Sequence, residues 1–237
     1  MQLKYDLHTH ILPGVDDGAA DKDESLILLD NLTKQGIKNI CLTPHFYTHK
    51  ESIEDFLVRR NRAYNELRPY LPKDINVKLG AEVYVTKYLF AEEVDVTPLC
   101  IEGTPYMITE FNYESSFTGE SMRLLNKLRD RCIVPVIPHV ERYPKLMKDK
   151  AILSELIYMG VIVQSNFASF TEPLKRRKLV SLIKSGHIHV LATDVHSMTR
   201  NSPQSISEAM EFITKKCSLS VINKLNKNAE EVFNGVC

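Results

Sequence analysis

Short apolar runs and helical stripes take turns along this chain. Tyr5-Asp6-Leu7-His8 reads as a strand, and Asp23 to Gln35 sets Leu26, Leu29 and Leu32 at helical spacing before Gly36 ends the helix. Ile37 to Thr43 is strand-like and closes at Pro44, Ile53 to Leu71 is helical up to Pro72, and Asn76 to Val83 alternates Val77, Leu79 and Ala81 as a strand does. Tyr106 to Phe111 predicts another strand and Met122 to Arg131 a helix. The apolar run Ile133 to Val140 suits a strand buried in a parallel sheet. A helix over Lys145 to Met159 stops at Gly160, Val161 to Ser165 is a strand, a helix lies around Leu174 to Lys184, and His189 to Thr193 is the last strand. Helices at Ile206 to Lys216 and Val221 to Phe233 finish the pattern.

Strands alternating with helices in this way predict parallel βα units of an α/β protein. Over 237 residues, closure into one TIM-like barrel domain spanning 1–237 fits better than two separate sheets, with a doubly wound open sheet as the alternative. No Gly-x-Gly-x-x-Gly or Gly-x-x-x-x-Gly-Lys-Ser/Thr follows any strand, which weakens a nucleotide-binding version.

Composition removes further classes. The chain is 43% hydrophobic and 25% charged, as expected of a soluble globular protein, and its 30 basic side chains balance 30 acidic ones. That balance argues against a general nucleic-acid or membrane-surface binder. No apolar run approaches the roughly 20 residues needed to cross a bilayer, and the first residues carry no secretion signal, so the expected location is cytoplasmic. Five scattered cysteines (Cys41, Cys100, Cys132, Cys217, Cys237) without a Cys-x-x-Cys pair are expected to be reduced, Cys41 as a core filler. Six residues after Cys41, Cys100, Cys132 and Cys217 come Tyr47, Tyr106, Pro138 and Asn223, so the Cys-x5-Arg of thiolate-based tyrosine phosphatases is missing. Glu93-Val94-Asp95-Val96-Thr97 resembles an aspartyl-nucleophile pattern but begins with Glu, and reads as a surface loop.

The candidate chemistry lies at the strand ends. His8 and His10 are two apart at the end of the first strand, and the turn at Asp16-Asp17-Gly18 brings a carboxylate near them. His45, Glu82, Glu110, His139, Asp194 and His196 follow at or just past the C-terminal ends of other strands, which face one mouth in a parallel barrel. A barrel cannot collect that many carboxylates and imidazoles without a counter-charge, and metal ions supply it. Nine groups (His8, His10, Asp17, His45, Glu82, Glu110, His139, Asp194, His196) suit two or three divalent metals sharing a carboxylate. Nitrogen and oxygen ligands without thiolate allow Mn, Fe or Zn.

Other conspicuous residues have plainer expectations. His187 reads as a helix-end residue, His189 as a strand neighbour, His49 as exposed, and Arg176-Arg177-Lys178 as a solvated helix face. Glu141 either supports a ligand or forms an ordinary salt bridge. Phe46, Tyr47, Tyr84, Tyr113 and Phe117 lie in mouth-side loops, to stack on a substrate ring or to pack the loops.

His8-Thr9-His10, Pro44-His45, Gly80-Ala81-Glu82, Glu110-Phe111, His139-Val140-Glu141-Arg142-Tyr143 and Asp194-Val195-His196 together resemble the polymerase-and-histidinol-phosphatase (PHP) superfamily. With Leu12-Pro13-Gly14-Val15-Asp16-Asp17-Gly18, the resemblance narrows to the CpsB/CapC-type bacterial protein-tyrosine phosphatases of capsule and exopolysaccharide operons. It implies a distorted (β/α)7 barrel with a trinuclear, usually Mn2+-dependent centre. His8, His10, Glu82 and Asp194 would hold one metal, Glu82 would bridge to a second held by Glu110 and His139, and Asp17, His45 and His196 would hold the third. Arg142 and Arg200 would bind phosphate, and Asp17 or His45 would donate a proton. The implied reaction is hydrolysis of phosphotyrosine by metal-activated hydroxide, on a bacterial tyrosine kinase tail or an exopolysaccharide-regulating protein. Oligomeric state is left open. Histidinol-phosphate hydrolysis and a non-catalytic metal-binding role are the alternatives. Phe46-Tyr47-Thr48-His49, where relatives are often histidine-rich, and Asn228-Ala229, where they tend to have Asn-Pro, depart from the pattern.

Overall fold

Each apolar run becomes a short parallel strand; the strand expected over Asn76 to Val83 is broken at Gly80-Ala81, and beyond the one that closes at Pro44 a further short strand follows. The computed structural model describes residues 3–91 and 94–236. The strands are β1 (Tyr5–Thr9), β2 (Asn39–Leu42), β3 (His45–Tyr47), β4 (Asn76–Leu79), β5 (Glu82–Tyr84), β6 (Tyr106–Glu110), β7 (Val134–Ile137), β8 (Ile162–Asn166) and β9 (Val190–Ala192). Pro44, which lacks an N–H, separates β2 from β3, and Gly80-Ala81 separates β4 from β5. The breaks are paired: Gly80 N–H donates to Leu42 O at 2.9 Å and Glu82 N–H to Pro44 O at 3.0 Å. β2/β3 and β4/β5 are therefore two bent strands lying side by side.

One sheet runs β1-β2-β4 and the other β3-β5-β6-β7-β8-β9, with parallel pairing throughout. The ring closes between β9 and β1. Thr9 bridges Val195, Asp194 N–H donates to His8 O and His10 N–H to Val195 O, each at 2.9 Å. Seven strand positions in a closed parallel ring make the expected distorted barrel, bent where the two broken strands pass from one sheet to the other.

Around it lie α1 (Lys22–Lys34), α2 (Ile53–Leu67), α3 (Glu120–Asp130), α4 (Pro144–Lys148), α5 (Lys150–Tyr158), α6 (Pro173–Lys184), α7 (Ser205–Lys216) and α8 (Leu219–Asn234). The single helix expected over Lys145 to Met159 is two, because Asp149 turns extended and caps α5 by accepting from Ala151 N–H at 2.8 Å. One core cluster joins Leu7, Cys41, Ile108, Val136 and Val190, from five strands, to Ala229, Val232 and Phe233 of α8. A larger one packs the other helices on the ring and includes Phe46 and Phe117, both fully buried. Burying a side chain of that size is worth about 1.5–3 kcal/mol. These two rings belong to the core, so of the two roles expected for them packing holds and stacking on a substrate does not.

Candidate metal centre

Strand ends and the turn that holds Asp17 deliver all nine predicted side chains to one place. His8 lies near the end of β1 and His10 just past it, His45 and Glu82 open β3 and β5 after the two breaks, and Glu110 closes β6. His139 follows β7, while Asp194 and His196 follow β9. Glu82 Oε2 lies 3.2 Å from His8 Nε2, 3.3 Å from His10 Nε2 and 2.9 Å from His45 Nδ1, and Glu82 Oε1 is 2.8 Å from His139 Nε2. Asp194 Oδ1 lies 3.2 Å from His10 Nε2, and Asp17 Oδ1 3.5 Å from both His45 Nε2 and His196 Nε2. His139 Nε2 is 3.6 Å from Glu110 Oε1.

Three groups could each hold a metal, their ligand atoms lying within 4.8 Å of one another: His8, His10, Glu82 and Asp194; His10, Asp17, His45 and His196; and His45, Glu82 and Glu110. The first is the set the resemblance implies. The second adds His10 to the expected Asp17, His45 and His196; the third joins His45, not the expected His139, to Glu82 and Glu110, and His139 falls in none of the three groups although its Nε2 is 2.8 Å from Glu82 Oε1.

The hydrogen bonds around the cluster test whether a cation fits it. His8 Nδ1 is 3.2 Å from Gln164 Oε1 and His10 Nδ1 is 2.7 Å from Asp16 Oδ2, so both rings donate from Nδ1 to oxygens that can only accept. In the neutral rings that frees Nε2 on each for a cation, and the two Nε2 atoms face one another at 3.1 Å. Without a cation a proton takes that place, since burial lowers both rings but Glu82 and Asp194 outweigh it at His8 and Asp16 at His10, raising both. His196 likewise commits Nδ1 to Asp194 O at 2.7 Å and turns a bare Nε2 toward Asp17. Buried atoms without a hydrogen-bond partner include Glu82 Oε2, Asp194 Oδ1, His45 Nδ1 and His196 Nε2. His45 Nδ1 and Glu82 Oε2 are close yet misaligned for a hydrogen bond with each other. Bare acceptors that converge this closely fit a shared cation.

Electrostatics agree. Burial pushes Glu82 up, but the His8 charge and the close His10, His139 and His45 rings outweigh it and hold the carboxyl well below its ordinary range. Burial raises Glu110, and the neighbouring Glu82 charge adds to the rise. One carboxylate is thus charged at the expense of the next, the situation a bound cation reverses.

The backbone is shaped to the same end. His139 (φ 35°) and Asp194 (φ 55°) are left-handed, a conformation that costs a non-glycine residue about 1–2 kcal/mol. Gly18 lies against His10: an added Cβ would come 1.9 Å from His10 O and 2.6 Å from its Cβ, so only glycine allows the Asp16-Asp17 turn to close on the centre.

Several supporting residues were not anticipated from the sequence. Asp16, expected only as part of a turn, accepts from His45 N–H at 2.9 Å as well as from His10, and Gly18 N–H donates to its other oxygen at 3.0 Å. Burial raises its pKa, but His10's charge and hydrogen bond outweigh that and hold it below the carboxylate range. Gln164 Oε1 accepts from His139 N–H as well as from His8, and Gln164 Nε2 donates to Asn166 Oδ1 at 2.7 Å. Asp194 Oδ2 accepts from Arg142 (2.7 Å), Asn166 (2.8 Å) and Asn201 (2.9 Å), which leaves Oδ1 bare. The signal was present in β8, where Gln164 and Asn166 interrupt a strand whose neighbours are apolar.

Two arginines frame the cluster. Arg142 pairs with Asp194 and reaches Tyr113 OH at 3.3 Å; Arg200 pairs with Asp17 Oδ2 at 2.5 Å. Tyr113 donates to Glu110 Oε1 at 2.6 Å, and Tyr47 and Tyr84 stand 5.8 Å apart at the rim, half-buried. Glu141 supports rather than forming a salt bridge, accepting from Ser165, Asn166 N–H and Ser169, each at 2.9 Å. His187 bonds to Ser154 and Ser185, His189 Nδ1 accepts from Val163 N–H at 3.0 Å, and His49 is exposed. Arg176 is less solvated than expected, its guanidinium lying 4.4 Å over the Phe212 ring. Asp95 accepts from Thr97 N–H and Oγ1 in an exposed turn; Glu93 and Cys237 lie outside the described residues.

A closed ring of parallel strands whose C-terminal ends gather imidazoles and carboxylates around bare acceptor atoms defines a barrel protein with a candidate multi-metal centre. The chain belongs to the capsular polysaccharide synthesis CpsB/CapC family, whose model matches residues 4–234. It is 29% identical to the tyrosine-protein phosphatase CpsB of Streptococcus pneumoniae, over 96% of this chain and 94% of that protein. It is also 29% identical to the tyrosine-protein phosphatase YwqE of Bacillus subtilis (strain 168), over 95% and 89%. A solved structure from work on YwqE and CpsB, described there as metal-dependent tyrosine phosphatases, matches with a TM-score of 0.75 at 24% identity, covering 98% of this chain and 94% of its own. A TatD-family hydrolase from Entamoeba histolytica shares the fold at a TM-score of 0.58 and 12% identity. Among the described residues no helix is long and apolar enough to cross a membrane.

Proposed function

We propose that this chain is a metal-dependent protein-tyrosine phosphatase of one barrel domain, in which His8, His10, Asp17, His45, Glu82, Glu110, His139, Asp194 and His196 hold two or three divalent ions. The observation that carries the reading is the convergence of His8 Nε2 and His10 Nε2, 3.1 Å apart, on the unpartnered oxygens of Glu82 and Asp194. The relatives, tyrosine-protein phosphatases, support the same reaction class. When bound, such ions supply Lewis acidity and lower the pKa of water toward about 7. The proposed ion is Mn2+, with Fe or Zn also compatible with nitrogen and oxygen donors.

The protein's own residues do the rest. Arg142 and Arg200 stand on opposite carboxylates of the cluster, Asp194 and Asp17, and their planar forks suit the phosphoryl oxygens. Asp194 and Tyr113 hold Arg142 in place, and Tyr113 links it to Glu110. Tyrosine is a comparatively easy leaving group because its conjugate acid has a pKa of about 10, so modest proton donation suffices. Asp17 and His45 are the proposed donors. A tyrosine-phosphorylated bacterial kinase tail is the proposed substrate, met in the cytoplasm.

Protein purified without chelator should contain about two to three equivalents of divalent metal. It should hydrolyse a phosphotyrosine peptide faster than histidinol phosphate, and chelation should abolish turnover. A preference for histidinol phosphate would select the related small-molecule phosphatase, and no ester hydrolysis by metal-loaded protein would leave a binding module.

A further inference from the structure

Beside the centre lies a cavity of about 520 Å3, whose lining includes Asp17 and His45 of the centre together with Tyr47, Lys50, Glu51 and Arg59. Most of its charges are answered within the protein. Arg59 pairs with both oxygens of Glu51 and donates to Val15 O. Asp16 pairs with His10 and Asp17 with Arg200. Lys50 differs: its ammonium lies 4.1 Å over the Tyr47 ring, and among the described residues it forms no ion pair with a carboxylate. Lys50 N–H donates to Tyr47 O at 2.9 Å, so a tight turn fixes the lysine above the ring it stacks on. The ring continues the wall outward, 5.4 Å from the His45 ring and 5.8 Å from that of Tyr84.

We propose that this cavity receives the peptide flanking the phosphotyrosine and that Lys50 selects a carboxylate there, an Asp or Glu side chain beside the phosphorylated residue. The inference rests on the phosphatase reading and adds a sequence preference to it. Charge complementarity identifies the occupant, since Lys50 is the uncompensated cation of a cavity whose wall is shared with the centre. A single ammonium on a π-face offers a point charge that matches a carboxylate. A second phosphate would call for a planar fork, and Arg59's is committed to Glu51. An exposed pair of this kind is worth up to about fivefold in binding.

The test compares three phosphotyrosine peptides that differ only in flanking Glu, Gln or a second phosphotyrosine, with p-nitrophenyl phosphate as a flank-free control. Wild type, Lys50→Ala and Lys50→Glu are assayed as metal-loaded protein. Wild type should favour the Glu peptide over the Gln peptide by about three- to fivefold in kcat/KM, carried by KM. Lys50→Ala should remove the preference and Lys50→Glu reverse it, with p-nitrophenyl phosphate turnover unchanged in all three. Equal rates on Glu and Gln peptides in wild type, or a preference that survives in Lys50→Glu, would overturn the assignment. So would a Lys50-dependent preference for the second phosphotyrosine over Glu. No hydrolysis of p-nitrophenyl phosphate by wild type is a separate failure, which removes the phosphatase reading and this inference with it.

Discussion

Replacing Asp16 with Asn isolates what a carboxylate that need not touch metal does for the centre. Its Oδ2 accepts from His10 Nδ1 at 2.7 Å and His45 N–H at 2.9 Å, while Oδ1 accepts from Gly18 N–H. A carboxamide keeps the shape but has one accepting face, so either Gly18 N–H or His10 meets another donor. It also removes the charge that fixes His10 in the tautomer with a bare Nε2. Charge-assisted hydrogen bonds exceed neutral ones by about 1–2 kcal/mol, which corresponds to about five- to thirtyfold in metal affinity. Supporting partners of metal-bound histidines are generally worth about 10–100-fold. The assay is competition of the purified protein with a chromophoric chelator, read beside the melting curve of the metal-free variant. Turnover should fall at limiting metal and recover in excess. Wild-type metal affinity in an Asp16→Asn protein that melts as wild type would refute the reasoning.

Gly18→Ala drives a Cβ to 1.9 Å from His10 O and should cost about 1–3 kcal/mol or more together with metal affinity; an unchanged urea midpoint would show that the turn has room. His139→Ala should lower phosphatase turnover at least about a hundredfold while the protein still folds, because a polar side chain of the cluster is lost rather than a core one. Near-normal turnover in the folded variant would remove His139 from the centre. Burial, with Lys224 and His187 adding to it, pushes His189 down to about 4 from its ordinary 6.5, and Nδ1 accepts from Val163 N–H. As pH falls below 6.5 the unfolded chain takes up this proton first, so stability is lost between 6.5 and about 4. From pH 7 to 5 the metal-free protein should lose about 1–2 kcal/mol that His189→Gln does not, read as the difference in denaturant midpoints.

Much of the fold was legible because parallel strands buried on both faces leave short, nearly unbroken apolar runs. Ile133 to Val140 and Val161 to Ser165 fall on β7 and β8 to within a few residues. The breaks were less legible. Pro44 was visible as punctuation and Gly80 was passed over inside an expected strand, but chain-local pattern cannot show that a strand resumes beyond its break, since what resumes it is pairing between β3 and β5. The split at Asp149 was missed for a related reason: a side-chain cap outcompeted a helical stripe that looked continuous. For Phe46 and Phe117 the choice between stacking on a substrate and packing stayed open because loop position says nothing of which way a ring turns, and both turn inward.

The candidate site divides in the same way. Residue type at strand ends singled out all nine clustered side chains, since imidazoles and carboxylates are rare in an apolar barrel without a cause. Their supports stayed hidden because Gln164, Asn166 and Asn201 are ordinary polar residues whose meaning lies in what they leave unsaturated. His8, His10, His196 and Asp194 each have one polar atom held by the protein and the other turned into the cluster, and those of His196 and Asp194 have no hydrogen-bond partner. A buried acceptor without a partner costs about 1–3 kcal/mol, so the arrangement burdens the metal-free fold. Cations that bind the folded chain alone return that cost as stability. The supporting amides and Asp16 therefore act on both quantities at once: by fixing which atom of each side chain is bare, they set how much the empty centre costs and how tightly a metal repays it.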